Sequence, residues 1–199
     1  DYRFRDGKEI DYWKAIRGDR NEFLVNGEVV TPNEIIGTPV FHNQRLYVTI
    51  GQDPVHDTGR GAVTCLDPRG TGDITAQRKV WQYRDIGRSM STPAVADGLV
   101  YVPETFGKIH CLDAETGKVQ WVHRTLTENW SSALVSDGKV YVGTKRGVTV
   151  LAAGRTLKPL ANIRLGTPVY SVLSAANGVL YVASQQHLWA VKEKGEMGE

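Results

Sequence analysis

Two cysteines among 199 residues are too few for a disulfide scaffold, and no apolar run approaches the ~20 residues that a membrane-spanning helix requires. A formal net charge of +2, from 24 basic and 22 acidic side chains, supplies no electrostatic footprint for a nucleic acid or an anionic membrane. The charges are scattered, and Lys145-Arg146 is the strongest basic pair. No His-x-x-x-His or Glu-flanked histidine arrangement occurs, and there is no Gly-x-Ser-x-Gly elbow. Gly70-Thr71-Gly72-Asp73 opens no helix, so it reads as a turn and not as a phosphate loop. Helix has little place anywhere: the best segment, Asp11 to Arg20, carries a Tyr-Trp pair and Gly18 that suit a strand and a loop better. What remains is an all-β chain, 41% apolar, with room for one or two domains and a substantial core.

The chain is repetitive. Four tyrosines sit in Leu46-Tyr47-Val48, Val100-Tyr101-Val102, Val140-Tyr141-Val142 and Leu180-Tyr181-Val182. The last two steps are 40 residues each, and the first is 54, which places an insertion in that interval. A period near 40 marks a supersecondary block that cannot bury its apolar face alone. The cleanest copy runs from Ser91 to Arg124. Ser91-Thr92-Pro93-Ala94-Val95-Ala96 reads as a first strand, and Asp97-Gly98 is a strong hairpin signal because both turn positions need positive φ. Leu99-Val100-Tyr101-Val102, Ile109-His110-Cys111-Leu112-Asp113 and Lys118-Val119-Gln120-Trp121-Val122-His123 complete an antiparallel meander.

Four copies are expected at about 38–84, 92–124, 131–165 and 167–192. The third carries Ala161 where a fourth-strand tryptophan is expected, and the fourth ends after Val191 without a fourth strand. The first has Asn43-Gln44 in place of Asp-Gly, a weaker hairpin signal. Residues 1–37 read as the end of a preceding blade plus a loop or hairpin insertion, with Trp13 in the place of Trp121. Two arrangements follow. Either the chain is a segment of a longer protein, or its N-terminal strands complete the last repeat and close a ring, which removes exposed sheet edges. The expected fold is a β-propeller, or a segment of one, of about four four-stranded antiparallel blades.

The stretch from Asp97-Gly98-Leu99-Val100-Tyr101-Val102 through His110-Cys111-Leu112-Asp113-Ala114-Glu115-Thr116-Gly117-Lys118-Val119-Gln120-Trp121 resembles the repeat of pyrroloquinoline-quinone-type (PQQ-like) β-propellers. In that family the Ala…Thr-Gly-Lys-x-x-Trp segment is a tryptophan-docking motif. The resemblance implies that Trp13, Trp81 and Trp121, with Ala114 and Gly117, are blade-docking residues. It implies seven or eight blades in a full ring, so that earlier blades of the same protein or a second copy complete it. It also implies a periplasmic or extracellular location. Enzymes of the family hold PQQ and calcium with an adjacent Cys-Cys pair, an acidic calcium ligand and a catalytic aspartate. Cys65 and Cys111 are 46 residues apart, and no calcium cage maps onto any copy. No cofactor is expected outside that enzymatic alternative.

The candidate sites are few. The insertion contributes Asp53, His56 and Asp57, which carry donor types that a cation takes. Their spacing matches no established metal motif, and a solvated Gly/Pro/Asp loop is the simpler reading. Asp67 and Asp113 each follow Cys-Leu, and each is expected to accept backbone N–H bonds in the next turn. Cys65 and Cys111 hold equivalent places in successive repeats, too far apart for the ~7 Å Cα limit of a disulfide, so they read as free buried thiols. His110 reads as an unremarkable strand residue. Trp130, just before a first strand, reads more simply as a covered loop aromatic, with contact to a partner as the alternative. No catalytic residue is assigned. The leading expectation is a non-catalytic propeller scaffold that presents loops to a protein or other macromolecule. The alternatives are a PQQ- and calcium-dependent dehydrogenase-like module and a carbohydrate-binding cell-surface module.

Overall fold

In the computed structural model, residues 35–51, 61–71 and 77–192 are described in full. Before them the backbone of two short antiparallel hairpins is described: β1 (Phe4–Arg5) with β2 (Lys8–Glu9), and β3 (Phe23–Val25) with β4 (Glu28–Val30). No helix occurs among the described residues, so none is long and apolar enough to cross a membrane. Three four-stranded antiparallel sheets follow. The first holds β5 (Val40–His42), β6 (Arg45–Ile50), β7 (Ala62–Leu66) and β8 (Lys79–Tyr83). The second holds β9 (Ala94–Ala96), β10 (Leu99–Glu104), β11 (Lys108–Asp113) and β12 (Val119–Arg124). The third holds β13 (Ala133–Ser136), β14 (Lys139–Thr144), β15 (Gly147–Ala152) and β16 (Pro159–Arg164). The fourth sheet has three strands: β17 (Ser174–Ala176), β18 (Val179–Ala183) and β19 (Leu188–Lys192). In each sheet the strands pair in sequence order, the meander that the repeat predicts. The chain is a β-propeller segment.

The turn between the first two strands of each sheet has both central residues at positive φ, as at Asp97 (50°) and Gly98 (71°). Asn43 (46°) and Gln44 (58°) adopt the same geometry. Here the paired strands β5 and β6 impose the turn on a glutamine that would not choose it, and Asn43 tolerates it because its short polar side chain suits αL. A register shift recurs between the third and fourth strands, at Cys65/Leu66, Cys111/Leu112 and Val150/Leu151. The extra residue re-aims the one after it, which is Trp81, Trp121 or Ala161.

The core lies between sheets rather than within one. Tyr47, Val63, Cys65 and Trp81 of the first sheet pack on Val100, Val102, Leu112 and Ala114 of the second. The opposite face of the second sheet, through Leu99, Tyr101, Ile109, Cys111 and Trp121, packs on Val140, Val142 and Leu151 of the third. Alternate residues of β10 thus serve two different interfaces, because side chains alternate across a strand. The Trp81 indole N–H donates to the Ala114 carbonyl of the next blade at 2.9 Å, and the Tyr47 hydroxyl donates to the same oxygen at 3.3 Å. A Cβ at Gly117 would lie 2.6 Å from the Trp81 ring, and Gly117 has φ +70°, so the approach needs glycine twice over. One blade on, the Trp121 indole donates to the Gly154 carbonyl at 2.9 Å, while the Gly154 amide donates to the Tyr101 hydroxyl at 2.8 Å. Trp13 lies outside the described residues. The first strands of neighbouring sheets lie against each other and are stitched by side chains. The Thr38 amide donates to Thr92 Oγ1 (3.0 Å), the Thr92 amide to Ser132 Oγ (2.9 Å), and Ser91 Oγ to the Ser131 carbonyl (3.0 Å).

Candidate interaction surface

Antiparallel pairing brings two kinds of loop to the same end of the blades. One is the turn from second to third strand, such as Thr105–Gly107 and Lys145–Arg146. The other is the connection to the next blade, such as 125–132 and 165–173. Backbone hydrogen bonds interleave them. The Asn129 amide donates to the Thr105 carbonyl at 3.0 Å, and the Lys145 amide donates to the Glu128 carbonyl at 3.0 Å. Asn129 is buried, and its Nδ2 donates to the carbonyls of Glu104 (3.1 Å) and Lys108 (3.0 Å). Each connection is thereby pinned between the turn of its own blade and the turn of the next, which makes this end a fixed platform.

The platform exposes apolar groups. Phe106 is at a turn tip, and Leu126 is 86% exposed. The Arg88 guanidinium sits 5.0 Å from the Phe106 ring centroid. Phe106, Leu126, Thr127, Glu128, Lys145 and Arg146 line a shallow cavity of about 580 Å³. Glu128 Oε1 pairs with Lys145 Nζ at 3.2 Å, and its Oε2 accepts from the Trp130 indole at 3.0 Å. These bonds, the Trp130 donor first, hold the Glu128 carboxyl below its usual value.

Trp130 is half-buried, and its ring packs tilted on Tyr170 at 5.7 Å. It belongs to a series. Ile36, Met90, Trp130 and Tyr170 each stand two residues before an equivalent residue just ahead of a first strand, Thr38, Thr92, Ser132 or Val172, the first three linked by the stitching bonds. Each blade therefore places one large apolar side chain at the same slot. Ile36 is 45% exposed and Tyr170 38%.

Beneath the platform lies a polar cluster that the sequence reading missed. His110, buried, sets its Nε2 2.9 Å from Glu104 Oε2 and its Nδ1 3.2 Å from the Tyr83 hydroxyl of the preceding blade. A carboxylate only accepts, so Nε2 carries a proton, and Nδ1 is the nitrogen that meets the Tyr83 hydroxyl. Burial on its own would raise the Glu104 carboxyl; the bonds from His110 and the Gly87 amide, with the charges of His110 and Lys108, outweigh it and hold the group at about 2. Burial also pushes Tyr83 up to about 12, helped by the charges of Asp85 and Glu104. Equivalent third-strand positions are Thr64 and Thr149, which bond Gln82 and Asn162 on their own sheets. His110 instead faces Val122 across its sheet and turns to the neighbouring blade. The cluster ties two blades together.

The other sequence candidates are occupied structurally. Asp113 Oδ1 accepts from the amides of Glu115 (3.2 Å) and Thr116 (2.9 Å), and its Oδ2 pairs with Arg155 at 2.8 Å. Asp67 accepts from the Arg69 amide at 3.1 Å and pairs with the Arg69 guanidinium at 2.6 Å. Those bonds hold both carboxyls below the usual range. Cys65 and Cys111 are free and buried, and burial pushes their thiols up to about 11 and about 12. Asp53, His56 and Asp57 lie outside the described residues. Among the described residues no three His, Cys, Asp or Glu side chains converge as a metal site.

A family model described as the outer membrane protein assembly factor BamB matches residues 59–156. A search of the curated proteins returned no match. Among solved structures, BamB from Moraxella catarrhalis superposes with a TM-score of 0.63 at 19% identity, covering 84% of this chain and 48% of that one. A quinohemoprotein alcohol dehydrogenase from Comamonas testosteroni gives 0.59 at 18%, covering 76% and 29%. The computationally designed Ika4 protein gives 0.56 at 12%, covering 81% and 94%. The chain spans about half the length of the BamB structure it matches. At these identities the likeness is one of fold.

Proposed function

Because this chain is built of PQQ-like β-propeller repeats, we propose that it is a non-catalytic scaffold that binds a protein or other macromolecule on the loop end of its blades. One observation carries the reading. The described carboxylates and imidazole of the second blade's core, Glu104, Asp113 and His110, are spent on holding turns and blades together, while the loops leave apolar side chains in water. A pinned platform with exposed Phe106, Leu126 and Tyr170 suits binding by shape, without any loop having to order first. The Trp81 and Trp121 contacts act here as docking joints, keeping neighbouring platforms in register. The match to an outer membrane assembly factor supports a periplasmic or extracellular setting. Further blades, from the same protein or a second copy, complete the ring: Leu188 and Ala190, alternate residues of β19 on the face turned from the third blade, are exposed and offer the apolar face that a neighbouring blade covers.

A displayed library of random peptides, selected on the intact chain, tests the reading: it requires enriched peptides that compete with one another for one face. Titration with PQQ and calcium, followed by absorbance, tests the dehydrogenase-like alternative suggested by the quinohemoprotein fold. Saturable binding there, with no peptide enriched, replaces the scaffold reading.

A further inference from the structure

The turn end of the first blade, opposite the loop platform, gathers three arginines on one carboxylate. Asp67 follows β7, Arg45 opens β6, and Arg78 stands just before β8, so the meander brings them to one corner. Arg69, two residues past Asp67, occupies both carboxylate oxygens, with Nε 2.8 Å from Oδ1 and Nη2 2.6 Å from Oδ2. Arg45 Nη1 and Arg78 Nη1 lie 3.7 Å and 3.6 Å from the same Oδ2, beyond hydrogen-bonding reach. Attraction alone holds these two, and their N–H donors meet no acceptor among the described residues. The three heads are open to water, Arg69 most and Arg45 least.

The cluster is no product of the repeat. In the places of Arg45, Arg69 and Arg78 the second blade has Leu99, Glu115 and Lys118. There Asp113 fixes its turn through the Glu115 and Thr116 amides and the Thr116 hydroxyl, and one arginine, Arg155, pairs with it. The third and fourth blades have Ala152 and Lys192 in place of the aspartate. The charge of Glu115, on the turn of the second blade, reaches Tyr47 and Cys65 as that of Arg45 does. Glu115 forms no ion pair among the described residues, and even with it counted the three arginines outnumber the carboxylates. Like charges brought together repel, so two guanidiniums that hydrogen-bond nothing in the fold add a cost that the sister blades avoid. We infer that Arg45, Arg69 and Arg78 bind a phosphoryl group, as inorganic phosphate or as a monoester on a larger molecule. Guanidinium forks bind oxyanions through paired N–H bonds, and a phosphoryl group offers three acceptor oxygens where a carboxylate offers two. The formal charge of +2 gives the chain no track for a polyanion, and three side chains at one corner suit a single group. The site lies apart from the loop platform and does not depend on the scaffold reading.

NMR of the intact chain reads the guanidiniums directly through the arginine Nε–Hε signals. Inorganic phosphate and glycerol phosphate are titrated separately, with sodium chloride holding the ionic strength constant. The signals of Arg45, Arg69 and Arg78 move together along one saturable curve, while that of Arg164, exposed at the other end of the third blade, stays still. A lower Kd for glycerol phosphate identifies the ester as the natural source, and a lower Kd for inorganic phosphate identifies the free ion. Acetate, with less charge and two oxygens, binds at least about tenfold more weakly. Arg45→Gln and Arg78→Gln each weaken phosphate binding at least about tenfold while Tm stays at the parent's value, because neither side chain hydrogen-bonds in the fold. Glu115→Gln removes a like charge and tightens binding. Shifts that never saturate, that acetate reproduces at equal concentration, or that survive unchanged in the chain carrying both Arg45→Gln and Arg78→Gln overturn the site.

Discussion

Replacing Trp121 by alanine is the sharpest perturbation of the array. The indole is 6% exposed, packs on Tyr101 at 5.9 Å, and donates to the Gly154 carbonyl of the next blade. Truncating a buried tryptophan costs ~3–5 kcal/mol through lost transfer energy and the cavity left behind. The Gly154 carbonyl loses a donor as well, at about 1 kcal/mol where water does not reach it. The expected total is about 4–6 kcal/mol, which for a chain of this size lowers Tm by roughly 8–24 °C. Urea unfolding followed by circular dichroism measures it. Trp121→Phe keeps the ring and drops the N–H, so it should recover most of the loss. Near-parental melting of Trp121→Ala would refute the idea that an indole joins the second and third blades.

Gly117→Ala should cost about 2 kcal/mol or more, since its Cβ meets the Trp81 ring at 2.6 Å, whereas Gly138→Ala, with nothing within 4 Å and a similar positive φ, should cost only about 1 kcal/mol. Equal costs, measured by urea midpoints, would remove the docking contact from the explanation. The Glu104 carboxyl is depressed in the fold, from 4.5 to about 2. Its contribution is therefore full above pH ~4.5 and lost as pH falls through about 2, and it is worth at most about 3 kcal/mol. Glu104→Gln should flatten the acid limb of the stability–pH curve; an unchanged limb would count against the His110–Glu104 pair. Cys65 and Cys111, buried with thiols raised to about 11 and about 12, should react with a disulfide reagent at pH 8 only as fast as the chain opens. Rapid labelling of the folded chain would show that the interblade core is not closed.

Much of this architecture is local, and local features are legible in sequence. The Asp97-Gly98 turn, the Val-Tyr-Val strands and the 40-residue step all describe one blade's own chain. The Asn43-Gln44 turn shows the limit, because its left-handed geometry comes from strand pairing and not from the residues in it. His110 shows it more plainly. Its partner Tyr83 is 27 residues earlier on another sheet, and nothing in the strand pattern says that the imidazole crosses the interface. Only a comparison with Thr64 and Thr149, which bond within their own sheets, marks it as different. That Trp130 stands just before a first strand was legible, whereas its contact with Tyr170 depends on how neighbouring blades meet.

Hydrogen–deuterium exchange on the intact chain, with and without a saturating enriched peptide, asks directly which end of the blades does the binding. Slowed exchange should be confined to 105–107, 125–130 and 145–146. Protection that instead falls on the opposite-end turns at 43–44, 97–98 and 137–138, with the loop end unchanged, would contradict the account.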